Sequence, residues 1–274
     1  MSSALVTRTD IPWRCIWITG ASSGIGAALA RELAASDRTL ILSGRSKERI
    51  EQVAAGCRER GAVAVPLVFD IADAAERHSA LAELAERGLQ PDMLVNNAGI
   101  SQRGTVADTD VGVDRRIMEV DYLAAVELTK SLLPGMLQRG SGCVVAVSSV
   151  AGLAPVPLRS SYNAAKAAQL AFFGTLGNEC VARGVQVSLV IPGFVRTEVS
   201  RNALKPDGSA SGRMDPNQAG GISPERAARD IAAGIRRGRR RIKTGITARL
   251  RIMLLLARLV PGLLDRILQN TEVR

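Results

Sequence analysis

Short runs of β-branched and aliphatic residues alternate along this chain with longer stretches of helical spacing, and few folds accept that alternation. The runs are CIWIT (15–19), TLILS (39–43), VAVPLV (63–68), MLVN (93–96), CVVAVS (143–148) and VQVSLVI (185–191), with RIKT (241–244) as a seventh. Helical period fills 25–35, 46–60, 74–88, 113–138 and 160–183. Strands linked through helices pair in parallel and must be covered on both faces, which predicts an α/β fold with one doubly wound parallel sheet of about seven strands. At 274 residues and 46% hydrophobic, the chain can bury such a core as one domain over 1–245. From Pro192 to Ser223 the pattern lapses into Gly, Ser, Pro, Asn and Asp, a length that in compact domains serves as a binding loop or lid. Ser223 and Pro224 then supply an N-cap and a first-turn proline for a further helix.

The first run leads directly into TGASSGIG, residues 19–26, and then into a helix. Gly20 permits a tight turn, and Gly24 and Gly26 let a pyrophosphate approach free N–H groups at the positive end of the helix dipole. The spacing is GxxxGxG and not GxGxxG, but the strand-loop-helix context is that of a dinucleotide cradle in a Rossmann-type sheet. Thr19, Gly20, Ser22, Ser23, Gly24, Ile25 and Gly26 are therefore cofactor-binding candidates. The second run ends in LSGRS, where an acidic residue would hold the ribose 2′-OH of NAD and an arginine can accept a 2′-phosphate. Arg45 stands there without a carboxylate, so NADP(H) is favoured over NAD(H).

One of the two tyrosines and one of the five lysines stand four apart in SSYNAAKAA, so Tyr162 and Lys166 share a helix face one turn apart. Moving a proton to or from a substrate oxygen suits a phenol whose pKa, near 10, is lowered by an adjacent ammonium. The single histidine, His78, sits in a polar, Ala/Glu-rich stretch and reads as a solvated helix position, which argues against a Ser-His-Asp hydrolase. Cys15, Cys57, Cys143 and Cys180 form no CxxC pair and no secretory segment precedes them, so a cytoplasmic setting and no metal site are expected.

TGASSGIG, NNAG (96–99), Ser149, Tyr162-x-x-x-Lys166 and PGFVRT (192–197) stand in the order in which they occur in the short-chain dehydrogenase/reductase family, which the chain resembles over most of its length. Within it, MEVDYLAAVELTKSLLP, VSSVAG and NALKPDGSASGRMDPNQAGGISPE resemble the dehydrogenase/reductase member 7-like branch. The resemblance implies an NADP(H)-dependent oxidoreductase interconverting a carbonyl and a secondary alcohol. It assigns Tyr162 as general acid/base, Lys166 as its modulator and a holder of the nicotinamide ribose, and Ser149 as anchor of the substrate oxygen. Ser148 is the rival of Ser149, but strand alternation turns the two to opposite faces and the family spacing selects Ser149. Asp70 would lie beside the adenine, Asn97, Ala98 and Gly99 would line the groove, and Pro192, Gly193, Val195 and Thr197 would meet the nicotinamide end. The branch implies an apolar, lipid-like substrate, and the family a homodimer or homotetramer. One residue departs from the pattern: Asp121, in MEVDY, stands where relatives carry an asparagine tied to the proton relay. A carboxylate there can pair with Lys166, which leaves an NADP(H)-binding sensor or scaffold as the alternative function.

The net charge of +10 resides in the tail: residues 236–274 hold 11 basic and 2 acidic groups against 25 and 24 in residues 1–235. Any electrostatic partner should meet that end. In 247–269, Arg251, Arg258 and Asp265 fall on one helical stripe while Leu250, Met253, Leu254, Leu256 and Ala257 cover much of the rest, and Pro261-Gly262 breaks the helix. The apolar run IMLLLA is far short of the ~20 residues that span a bilayer. The extension 246–274 thus reads as a peripheral contact with an anionic membrane. Packing on the body, a partner subunit or the mouth of the substrate pocket is the competing reading. Nucleic acid is not expected, because the tail has no aromatic side chain for base stacking.

Overall fold

The computed structural model describes residues 11–269. Its strands are β1 (Cys15–Thr19), β2 (Thr39–Gly44), β3 (Val63–Val68), β4 (Met93–Asn96), β5 (Gly142–Val147), β6 (Val185–Pro192) and β7 (Arg241–Thr244). They form one seven-stranded sheet in the order β3-β2-β1-β4-β5-β6-β7, every pairing parallel. RIKT is the seventh strand, paired with β6.

Alternation along β1 shows how the two faces are covered. Ile16 and Ile18 point into a core with Leu29 and Leu33 of α1 (Gly24–Leu33) and Ile231 and Ile235 of α8 (Pro224–Arg236). Trp17, between them, joins Leu128, Phe173 and Leu176 of the opposite face. Its indole Nε1 donates to Ser43 Oγ at 3.0 Å, so the polar atom of this fully buried ring is satisfied. The edge strand β3 leaves Val63 and Val68 exposed and carries Pro66, whose missing donor an edge tolerates.

The remaining helices are α2 (Lys47–Arg58), α3 (Ala74–Glu86), α4 (Val111–Met118), α5 (Ala124–Arg139), α6 (Ser160–Cys180), α7 (Pro216–Ala219), α9 (Ala248–Leu259) and α10 (Pro261–Gln269). The single helix expected over 113–138 is instead α4 and α5 joined by a π-helical turn, Glu119–Leu123. Hydrophobic spacing does not register such a turn, because one inserted residue shifts the apolar face without breaking it. Ser223 caps α8 as expected, its side chain accepting from Arg226 N at 3.2 Å. The loop after β6 holds only the one-turn α7, and α9 and α10 part at Pro261.

Candidate active site

Where the strand order reverses, between β1 and β4, a parallel sheet leaves a crevice at the C-terminal strand ends. A cavity of about 1360 Å³ lies there. Gly20, Ser22, Ser23, Gly24 and Ile25 form one wall, where Gly20 adopts φ 63°, a left-handed turn that returns the chain toward α1. Thr19 and Gly26 lie behind that wall. Thr19 Oγ1 accepts from the N–H groups of Asn97 and Ala98, both at 3.0 Å. A Cβ on Gly26 would come within 2.4 Å of Gly20 O and 2.5 Å of Asn97 Nδ2. Asn97 Nδ2 in turn donates to Thr19 O and Gly20 O at 2.9 and 3.1 Å, tying the cradle to β4. The first turn of α1 has no acidic residue and its N-cap, Ser23, spends no side-chain bond on the helix. Unspent N–H groups without a nearby carboxylate suit a pyrophosphate.

At the end of β2, Arg45 and Arg49 both face this cavity. Arg49 did not figure in the sequence reading; it lies in the first turn of α2, while Arg45 precedes the Ser46 cap, so no helical spacing links the two. Asp70 lines the same end, where its carboxylate meets Arg116 at 2.6 Å. Burial pushes Asp70 upward, but the Ala72 N–H, Arg116 and Arg45 outweigh it and hold the carboxyl below its usual range.

At the other end Ser149, Tyr162, Lys166 and Asp121 share the wall with Asn97, Ala98, Gly99, Pro192, Gly193, Val195 and Thr197. Ser149 follows β5 in extended backbone, its Oγ accepting from Ala151 N at 3.2 Å. Ser148 also borders the cavity, but its hydroxyl is engaged, donating to Lys166 O at 2.8 Å. One turn of α6 sets the Lys166 ammonium 5.7 Å from the Tyr162 ring centroid. That ammonium donates to Val147 O at 3.0 Å and Gln169 Oε1 at 3.4 Å, and lies 3.2 Å from Asp121 Oδ2. The π-helical turn holds Asp121 at 0% exposure, its other oxygen accepting from Ile100 N at 2.7 Å. Complete burial pushes the Asp121 carboxyl up, and Lys166 opposes the shift.

The loop after β6 and the tail also line the cavity. Arg103 and Arg159 both reach Asp215 on that loop, the latter at 3.0 Å. Burial lowers the Arg159 guanidinium, Arg103 adds to the effect, and Tyr162 and Asp215 oppose it. Leu158, just before, has φ 66°, a left-handed conformation that costs a leucine on the order of 1–3 kcal/mol. Leu250, Met253 and Leu254 of α9 and Ile267 of α10 complete the wall. Leu250 seats on Gly193, where an added Cβ would lie 2.8 Å from its Cδ2. The outward side of the two helices leaves Ile252, Leu255, Leu259, Val260 and Leu263 exposed beside Arg251 and Arg258; the side chain of Asp265 and residues 270–274 lie outside the described ones. No described helix is long and apolar enough to cross a membrane. His78 is exposed on α3, the four cysteines are unpaired, and no metal-binding cluster occurs among the described residues.

A family model described as short chain dehydrogenase matches residues 14–207. Dehydrogenase/reductase SDR family member 7B of Mus musculus is 39% identical over 92% of this chain and 79% of its own length. The 7-like protein of Drosophila melanogaster is 40% identical over 82% and 70%. Among solved structures, a short-chain dehydrogenase from Sphingobium yanoikuyae in complex with NADPH superposes with TM-score 0.76 at 26% identity, covering 94% of this chain and 96% of its own. A short-chain dehydrogenase from Streptomyces avermitilis gives 0.78 at 27%, over 95% and 99%. With its sheet order, its strand-end cavity and these relatives, the chain belongs to the short-chain dehydrogenase family of oxidoreductases.

Proposed function

We propose that the protein is an NADP(H)-dependent oxidoreductase that interconverts a carbonyl and a secondary alcohol on an apolar substrate. The observation that carries this reading is one continuous cavity holding the glycine cradle and Arg45 at one end and Ser149, Tyr162 and Lys166 at the other. When bound, the nicotinamide supplies or accepts the hydride at the substrate carbon. Ser149 donates to the carbonyl oxygen, and Tyr162 gives its phenolic proton to that oxygen as the alcohol forms, or takes it back in reverse. Lys166 sets its amino group beside the phenol ring. Arg45 and Arg49 suit a ribose 2′-phosphate, and the NADPH bound by the Sphingobium relative supports the preference. Leu158, Leu204, Leu250, Met253 and Leu254 give the substrate end an apolar wall beside the paired Arg103, Arg159 and Asp215. Following NADPH consumption across a panel of apolar ketones tests the reading: turnover of at least one supports it, and tight NADPH binding with none consumed overturns it. That second result is the one a cofactor-sensing or scaffolding protein would give, a reading to which the neutralised Lys166–Asp121 pair lends its weight.

The tail adds a second part. Its inward side closes the substrate end, while exposed Ile252, Leu255 and Leu259 beside Arg251 and Arg258 combine the two attractions of an anionic membrane surface. Binding to anionic vesicles that weakens with salt and vanishes on deletion of 246–274 is expected. Vesicle affinity unchanged by the deletion would exclude it. A homodimer or homotetramer formed through the exposed helix faces is the expected assembly, and solution mass tests it.

A further inference from the structure

Two oppositely charged groups are fully sequestered at the base of the candidate site. Lys166 Nζ and Asp121 Oδ2 lie 3.2 Å apart, with side-chain exposures of 4% and 0%. Gly99 is packed over both, since a Cβ there would sit 3.1 Å from Asp121 Oδ2 and 3.3 Å from Lys166 Nζ. No other ionised side chain reaches Asp121 among the described residues. The pair carries zero net charge whichever partner holds the proton. Little water reaches the pair, so beside it the field of the ammonium is opposed by that of the carboxylate with little screening.

Tyr162 is close by. Two charged clusters face it: the Lys166–Asp121 pair, and Arg159, which shares Asp215 with Arg103. The second cluster, two guanidiniums on one carboxylate, keeps a positive charge; the first does not. An isolated lysine would favour the phenolate, and a lysine paired with a carboxylate does so less.

We propose that Asp121 is a positioning residue that cancels the field of Lys166 at Tyr162, so that the phenol keeps its proton and the site is set to act as an acid. Taken with the function proposed above, on which this last step rests, the resting site at neutral pH holds the protonation state that carbonyl reduction uses, in which Tyr162 gives a proton, while alcohol oxidation must first remove that proton.

The chain has two tyrosines, so in a Tyr122→Phe background the phenolate absorbance reports Tyr162 alone. Asp121→Asn keeps the shape and removes the charge, and should lower the Tyr162 titration midpoint of the cofactor-free protein by about one pH unit. Lys166→Met completes the cycle: it should raise the midpoint more in the Asp121→Asn background than with Asp121 present. Midpoints that ignore Asp121, or equal Lys166→Met effects in both backgrounds, overturn the proposal. Should Asp121→Asn fail to fold, as judged by its circular dichroism, Asp121→Ser removes the same charge and takes its place. In turnover, the acid limb of alcohol oxidation should move down by the same amount, while carbonyl reduction at neutral pH changes by less than about tenfold. A rise of about a hundredfold in reduction would instead mean that Asp121 impairs the relay, and would overturn the proposal. A shifted midpoint in a protein that reduces no ketone would sink the catalytic reading and leave the role of Asp121 standing.

Discussion

At the scale of single residues, the candidate chemistry rests on groups placed by short-range geometry. Tyr162 lies one turn before Lys166, and removing its hydroxyl should remove the acid without moving the ring. Tyr162→Phe is expected to lower turnover by about a hundredfold or more while NADPH still binds, as a fluorescence titration against a steady-state rate would show. Arg45 faces the cavity without a carboxylate nearby on β2. Arg45→Asp should weaken NADPH by about tenfold or more and NADH by much less, since a charged hydrogen bond contributes about 1.5–3 kcal/mol; equal losses for both would remove the basis for an NADP preference. Gly26 was legible as part of a glycine motif, but its part here is packing: the 2.4 Å approach of a Cβ to Gly20 O leaves no room for alanine.

At the scale of elements, the strands and most helices were legible because their signals are local. Apolar, β-branched runs marked all seven strands, and Ser223 announced α8. Ser223→Ala should cost about 1 kcal/mol in a denaturant titration. The π-helical turn between α4 and α5 was not legible, because its residues keep helical spacing and its cause is tertiary. That turn is what holds Asp121 beneath Gly99 and against Lys166, so the most unusual contact of the site depends on the element least visible in the sequence.

At the scale of the whole molecule, three distant segments meet around the substrate end. Asp215, on the loop after β6, ties Arg103 and Arg159 to it. Burial pushes its carboxyl up, but the Asn217 N–H and both guanidiniums outweigh that and hold it below its usual range. A carboxyl depressed by folding contributes stability above its unfolded pKa, ~3.9, and that stability is lost as pH falls through the folded value. Asp215→Asn should therefore lower the melting temperature at pH 7, with the difference from wild type closing as pH falls through the folded value. What the sequence determined by itself is what lies within one strand or one helical turn: the parallel sheet, the glycine cradle, the Tyr162–Lys166 face and a tail whose apolar run is too short to span a bilayer. Only the tertiary structure decided that Asp121 is a buried counter-ion, that Arg103, Arg159 and Asp215 converge, and that Leu250 of the basic tail closes the cavity over Gly193. The division is physical. Backbone dihedral preferences and hydrophobic period are fixed by neighbours in the chain, whereas burial, ion pairing and cavity walls are fixed by residues that only the completed fold brings within a few ångströms.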